Sequence, residues 1–506
     1  MSSVQARENQ TLSRVGRAAP AFILVLYALL LGYGYDRTPP GLNNDAAEEA
    51  LRAIYLLDQH RFQPMAVGVI GTSTETFYTY LVALLARLTG PSTLAIHFVS
   101  WVFALACLWV VWRLAKRIAP DIPVWAPLLL LGGSAWFLHY ARSGLRAIAA
   151  PLSLAAFTLL LDRAESSPRD RWKALGAGLV LGLSLYTYTS TRILPLAFLA
   201  YAVFRLIRRR ALAPCYAAIA AGAFVASIPN LIFFARQPGE FLARGSYVVK
   251  GGWTDIVQHA VSTMLAPFYY PDYYRNLGGP TYYFDGVSAA LAAMGNHPVN
   301  LVLAAALLVG VLRMRQEWDR PVVAYLAACW ITAMATLGIS GPSLTRTLIV
   351  LPVYVVLASL GVSFLLRRFP RARLAVLSVL VLAALYEVGG YMTGFSQSRA
   401  AQFFYSPAAT PLGQAAAGEA KAGRRVLCVL SKDANVVRFL THGEAQRVRI
   451  AEFYRRPVDP AEVRAEEFKP QVLLVENALL PAVAPLLAEP GTMERREQYT
   501  SIHVRR

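Results

Sequence analysis

The chain has 506 residues, 56% of them hydrophobic, a mean hydropathy of +0.43 and a formal net charge of +19 at pH 7. That hydropathy excludes a soluble globular protein, because several apolar runs approach the roughly 20 residues needed to cross a bilayer core. The positive charge does not point to nucleic acid. It is divided among short clusters between the apolar runs, where it anchors loops on lipid headgroups and sets topology.

Eleven segments are expected to span a membrane, at about 20–35, 94–112, 123–139, 146–161, 172–188, 192–207, 212–234, 298–312, 321–339, 344–366 and 372–391. The first follows a basic tail, yet no small-x-small cleavage site follows it and more spans do, so it is expected to be a retained helix. The clusters Arg113–Arg117, Arg163–Lys173, Arg205–Arg210, Arg313–Arg320 and Arg367–Arg373, with Arg7, Arg14 and Arg17 of the tail, then fall on one side. The positive-inside rule makes that side cytoplasmic. Thr76–Leu88 would reverse every later loop if it crossed, so it is expected to lie in the outer interface, with Tyr78 and Tyr80 near its start.

Two outer loops are long, 36–91 and 236–297. The first carries 6 acidic and 4 basic residues, a bias opposite to that of the cytoplasmic loops. The second contains PFYYPDYYRNLGGPTYYFDG (267–286), whose tyrosines suit a wet membrane surface and also stack on sugar rings. Beyond the last span, Arg425–Leu430 and Gln471–Val475 have the pattern of buried strands, and Asn435–Leu440 and Pro481–Leu487 that of helices. The expected architecture is an α-helical polytopic membrane protein of about eleven spans plus interfacial helices, residues 1–392. A small C-terminal α/β domain, 393–506, lies on the extracytoplasmic side. Cys107, Cys215, Cys329 and Cys428 have neither metal-ligand spacing nor the pattern of a disulfide framework.

The chemistry-bearing residues gather on the outer side. In PPGLNNDAAEEALRAIYLLDQ (39–59) an amphipathic helix with Leu51, Ile54 and Tyr55 on one face begins near Asp45. Glu48 and Glu49 stand three and four residues on, sharing a face with Asp45. Spacing alone is equally compatible with Asp45 as a helix cap and as a general base. His139, Arg142 and Arg146 mark the end of one span and the start of the next. Tyr186, Tyr188 and Arg192 lie between two later spans, and Arg346 begins the tenth. A lone arginine at a helix end is commonly a snorkelling anchor. Four on the face that should be poor in arginine suit a phosphate held by bidentate hydrogen bonds.

The segments PPGLNNDAAEEAL, STETFYTYLVALL, HYARSGLRAIAAPLSLAAF, GLVLGLSLYTYTSTRILPL and SGPSLTRTLIVLP resemble, in this order, bacterial members of the protein O-mannosyltransferase-like glycosyltransferases (family 39, GT-C fold). The resemblance covers about residues 20–366 and leaves the C-terminal domain aside. It implies transfer of a monosaccharide, a hexose or pentose, from a polyprenyl-phosphate donor to a protein, lipid or glycan acceptor at the outer face of the plasma (inner) membrane, with inversion. Asp45 matches the family's base. The family's following Glu is replaced here by Ala46, which leaves Glu48 or Glu75 to supply a second carboxylate. On the topology, Arg142, Arg146, Arg192 and Arg346 are the expected donor-phosphate clamp, with His139, Tyr186 and Tyr188 the expected substrate pocket. No cofactor is implied, and a divalent metal is compatible but not required. The alternative is a multispan lipid or glycolipid transporter or flippase without transferase activity. It calls for polar residues near the bilayer midplane rather than at span ends. An oligosaccharyltransferase calls for a Trp-Trp-Asp-type motif, which Trp253-Thr254-Asp255 approximates poorly.

The topology has a direct check. Reporter fusions after Arg117, Arg210 and Arg368 are expected to be cytoplasmic, and those after Gly279 and Gly443 external. An external reporter at Arg210 would overturn the arrangement.

Overall fold

The computed structural model describes residues 19–67, 73–240, 253–265, 267–268, 300–338, 343–405, 407–454, 456–465, 467–487 and 492–504. Each of the eleven expected segments contains a helix. These are α1 (Ala19–Gly32), α4 (Thr93–Ile118), α5 (Trp125–Gly132) with α6 (Ala135–Arg142), α7 (Ala149–Ser166), α8 (Arg171–Ser184), α9 (Ile193–Arg208) and α10 (Ala213–Arg236). Later in the chain come α11 (Trp253–Leu265), α12 (Leu301–Met314), α13 (Pro321–Gly338), α14 (Leu344–Arg368, through one 3₁₀ turn) and α15 (Arg373–Gly394). Among the described residues six helical stretches are long and apolar enough to cross a membrane. They are Thr93–Ile118, Arg146–Ser166, Thr189–Arg208, Arg210–Arg236, Leu344–Arg368 and Pro370–Gln397. Ala19–Gly32, Phe77–Thr89 and Pro321–Leu337 are shorter apolar helices. The stretch 36–91 holds α2 (Asn44–Asp58), a hairpin of β1 (Met65–Val67) and β2 (Ser73–Glu75), and α3 (Phe77–Thr89). With 13 residues, α3 is about 20 Å long, short of a bilayer core of about 30 Å. Of the tyrosine-rich stretch 267–286, all but Pro267 and Phe268 lies outside the described residues, as do Arg7, Arg14 and Arg17.

The expected span 123–139 is two helices, not one. The chain breaks at Gly133-Ser134, and Glu387 of α15 accepts a hydrogen bond from the freed amide of Ala135 at 3.3 Å. In an apolar surround an unpaired amide is costly, so a buried carboxyl reaching it stabilises the break. Two close helix crossings rest on glycine. A Cβ at Gly310 of α12 would collide with the carbonyl of Leu357, and one at Gly361 of α14 with the carbonyl of Ala306. Gly178 and Gly222 do the same for α8 and α10. Small residues at such crossings let backbones meet and dispersion forces act at short range.

All five basic clusters converge at one end of the molecule. Arg320 donates to the carbonyls of Arg117 and Ile118, Arg117 pairs with Asp162 at 3.4 Å, and Arg367 pairs with Asp121 at 3.5 Å. Arg205 joins Glu165, at 2.8 Å, to the carbonyl of Asp319. The stretch Arg146–Ser166, 21 residues and so about 30 Å long, separates this end from the one that carries Arg146.

The C-terminal part contains β3 (Val426–Leu430), β4 (Val448–Glu452), β5 (Val472–Glu476), β6 (Met493–Arg495) and β7 (Tyr499–His503), in the order β4-β3-β5-β7-β6. β3 is parallel to β4 and β5, while β7 runs antiparallel to both β5 and β6. The two expected helices are present at Ala434–Leu440 and Leu480–Val483. Alternation along the strands splits their burial: Val426, Cys428, Leu430, Val472 and Leu474 join the main core, whereas Leu427, Val429, Leu473 and Val475 form a separate one. One face of the sheet is thus continuous with the packing of the helices.

Substituting Gly310 or Gly361 by Ala is expected to lower the unfolding temperature in detergent, since overpacking of this kind costs about 1–3 kcal/mol. Gly176→Ala, where a Cβ meets nothing within 4 Å, serves as the control and is expected to be silent. Equal behaviour of the three variants would refute the crossings.

Candidate functional site

The site begins at the turn into α2. Asn43, in extended conformation, is the N-cap, and its side-chain oxygen accepts from the amides of Asp45 at 2.9 Å and Ala46 at 3.4 Å. The capping role open to Asp45 in the sequence therefore belongs to Asn43. Asp45 sits in the first turn and is exposed, its charge favoured by the positive end of the helix. α2 buries Ala46, Ala47, Ala50, Ala53 and Ile54. That is a slimmer face than the expected one, for Tyr55 is 60% exposed. The small side chains let α2 lie close to α3.

One turn after Asp45, Glu49 accepts from Arg146 Nε at 2.7 Å. The Arg146 Nη1 group meets Glu75, whose side chain is fully buried. Glu75 also accepts from Arg192 at 3.1 Å and from the Thr189 hydroxyl at 3.0 Å. The ring of Tyr188 lies 5.2 Å from the Arg146 guanidinium. Two carboxylates and two guanidiniums thus form a neutral network tying α2, β2 and the turns before α7 and α9. Buried charges are tolerated only when paired in this way. Arg192 keeps 28% of its side chain exposed, beside the ring of Phe234.

Other expected residues stand elsewhere. Glu48 pairs with Arg52 along the partly exposed face of α2, not with Asp45. Arg142 is fully buried, and its guanidinium donates to the carbonyls of Leu30, Leu31, Tyr33 and Thr38 at 2.7–2.8 Å. It closes the C-terminal end of α1, with four of its five N–H donors on backbone carbonyls. His139 is also fully buried, hydrogen-bonded to Tyr405 at 2.8 Å and Tyr391 at 3.4 Å. The Tyr186 hydroxyl is inserted into α10 next to Pro229: it donates to the carbonyl of Ala226 and accepts from the amide of Asn230. Tyr186 thus contacts both groups of one turn of α10, beside its internal proline. Arg346 lies in the first turn of α14, capped by Ser343, and is half-buried. Thr189, Asn43 and the role of Glu49 went unrecognised in the sequence; the spacing of Glu49 from Asp45 was the available signal. Among the described residues no three His, Cys, Asp or Glu side chains are grouped to hold a metal ion.

Residues 76–233 match the family model described as dolichyl-phosphate-mannose-protein mannosyltransferase. No curated protein matches the chain. Among solved structures, ArnT from Cupriavidus metallidurans bound to undecaprenyl phosphate is similar over 96% of this chain and 98% of its own, with a TM-score of 0.57 and 12% identity. Its apo state gives a TM-score of 0.56 at 12% identity, over 95% of this chain and 97% of its own. The Archaeoglobus fulgidus oligosaccharyltransferase in complex with Zn and sulfate gives 0.50 at 13% identity, over 95% and 73% respectively. The chain is a polytopic membrane protein with the GT-C glycosyltransferase fold. Within that class, its segment 76–233 resembles the protein mannosyltransferases.

The network makes a stability prediction. Glu75→Gln breaks a buried ionic cluster, a change that typically costs about 3–5 kcal/mol, and is expected to lower the unfolding temperature markedly. Glu48→Gln removes a partly exposed pair worth at most about 1 kcal/mol and is expected to matter little. Similar melting of the two variants would show that the network contributes nothing special.

Proposed function

We propose that this protein transfers a monosaccharide from a polyprenyl-phosphate donor to an acceptor hydroxyl at the outer face of the inner membrane, with inversion at the anomeric carbon. The observation that carries the reading is the placement of Asp45: an exposed carboxylate in the first turn of α2, one turn before Glu49, which locks the helix onto Arg146, Glu75 and Arg192. The similarity to ArnT, whose structure holds undecaprenyl phosphate, supports a polyprenyl-phosphate donor. The clustering of the basic loops at the opposite end supports an extracytoplasmic site.

In this mechanism Asp45 takes the proton of the acceptor hydroxyl as its oxygen attacks the anomeric carbon. The bond from that carbon to the donor phosphate oxygen breaks on the opposite face, and its electron pair leaves with the polyprenyl phosphate. A phosphate is a good leaving group, so no general acid is needed. Negative charge grows on phosphate oxygen, where fixed cations lower the barrier because they need no reorganisation. Arg192, partly exposed, and Arg346 are the arginines suited to that task. Arg146, enclosed by two carboxylates, orients α2 and the Arg192 turn instead. Glu75 acts through the arginines rather than on substrate.

With radiolabelled polyprenyl-phosphate sugars and membranes or nanodiscs, Asp45→Asn is expected to reduce transfer by about 10²–10⁴-fold, the usual worth of a general base, with donor binding kept. Arg192→Lys keeps the charge but loses the planar fork and is expected to impair transfer as well. Parental turnover by the Asp45 variant would sink the assignment. Mass spectrometry of envelope glycans from cells with and without the protein is expected to identify the sugar and its acceptor.

A further inference from the structure

We propose that Asn43 is a positioning residue for Asp45, and that the C-terminal part of the chain acts on sugar transfer through it. This rests on Asp45 being the base. Asn43 is used at both ends of its side chain. Its oxygen caps α2 at the amides of Asp45 and Ala46, while its Nδ2 donates to the carbonyl of Phe404 at 3.3 Å. The preceding residue is held from the same side, for the amide of Leu42, fully buried, donates to the hydroxyl of Thr410 at 2.9 Å. Phe404 ends the helix Arg399–Phe404, and Thr410 opens the helix Ala409–Lys421, whose flank packs on β3 and β5.

The rest of α2 is bounded as well. Glu49 ties one side to Arg146, and the helix Ala434–Leu440, which follows β3, packs along α2. At its far end Asp58 meets His442 at 3.4 Å. Asp433 stands in the turn between β3 and that helix, with a left-handed backbone at φ +67°. Burial, with Glu452, Asp45 and Glu476 adding to it against Lys432, pushes the carboxyl of Asp433 up to about 6. The C-terminal part therefore reaches the neighbourhood of Asp45 itself. With α2 held along its length, the direction of the Asp45 carboxylate is set by the two-residue turn Leu42-Asn43.

Asparagine is the side chain that fits both tasks. Aspartate caps a helix as well but cannot donate, and its charge would face the carbonyl of Phe404. Alanine supplies neither bond. A base displaced by about 1 Å from its attack geometry can lose on the order of 10²-fold in rate without any loss of substrate binding.

The test compares steady-state kinetics of Asn43→Asp, Asn43→Ala, Thr410→Val and Thr410→Ser in the full-length protein, with Asp45→Asn as reference. The expected result for Asn43→Asp is an unfolding temperature close to the parent, a donor KM within about 3-fold, and kcat lower by about 10-fold or more. Thr410→Val, which leaves the cap intact, is expected to lower kcat in the same direction, and Thr410→Ser, which keeps the acceptor oxygen, to restore it. If Asn43→Asp fails to fold, the Thr410 pair decides. A parental kcat in Asn43→Asp and Thr410→Val, with Asp45→Asn inactive, overturns the positioning role and leaves the base intact. Parental turnover in Asp45→Asn overturns the base instead.

Discussion

Arg146 is almost wholly removed from water, and a guanidinium cannot shed its charge to escape the cost. The structure meets that cost with Glu49 on one side and Glu75 on the other, and Glu75 in turn holds Arg192 and Thr189. These five residues come from four elements, Thr189 and Arg192 sharing one turn. The network thereby decides where α2 lies, how β2 leads into α3, and how the chain enters α7 and α9. Removing one member leaves the others as buried, unmatched charges, which is why the arrangement behaves as a unit. Asp45 takes its place from this cluster, because α2 carries both Asp45 and Glu49.

A second constraint comes from the apolar surround of the helices. At several places among the described residues a polar side chain from another element meets backbone groups of a helix or its end. Arg142 satisfies the carbonyls at the end of α1, Glu387 the amide that opens α6, and Tyr186 contacts two backbone groups beside Pro229. In water these ends would be solvated at little cost; in hydrocarbon each unpaired group costs several kcal/mol. Polar residues inside a membrane protein thus divide between those that hold broken helices together and those that face a site. His139 belongs with the former, through Tyr391 and Tyr405.

The C-terminal sheet is joined to the helices by more than a linker. Val426, Cys428 and Leu430 of β3 and Val472 and Leu474 of β5 share the main core, and the segment before β3 grips the turn that starts α2. A part of the chain outside the family resemblance is in this way coupled to the residue on which the proposed chemistry turns.

Composition and pattern alone were enough to define the membrane class, the positions of most of the helices, the convergence of the basic loops and two of the five C-terminal strands, β3 and β5. Each of these depends on local hydropathy or on charge near a span end, and both are readable along the chain. Asp45 could be singled out by its motif, but its capping role could not be separated from a catalytic one, since one carboxylate at a helix start serves either. Only the fold settled the cap, by placing Asn43 there. The arginines show the same divide. All four looked equivalent at span ends, yet Arg142 meets backbone carbonyls while Arg146 and Arg192 meet Glu75. A guanidinium binds a carbonyl, a carboxylate or a phosphate with the same donors. Which of them it meets depends on what distant segments bring within about 3 Å of it, and that is decided by packing rather than by sequence neighbourhood.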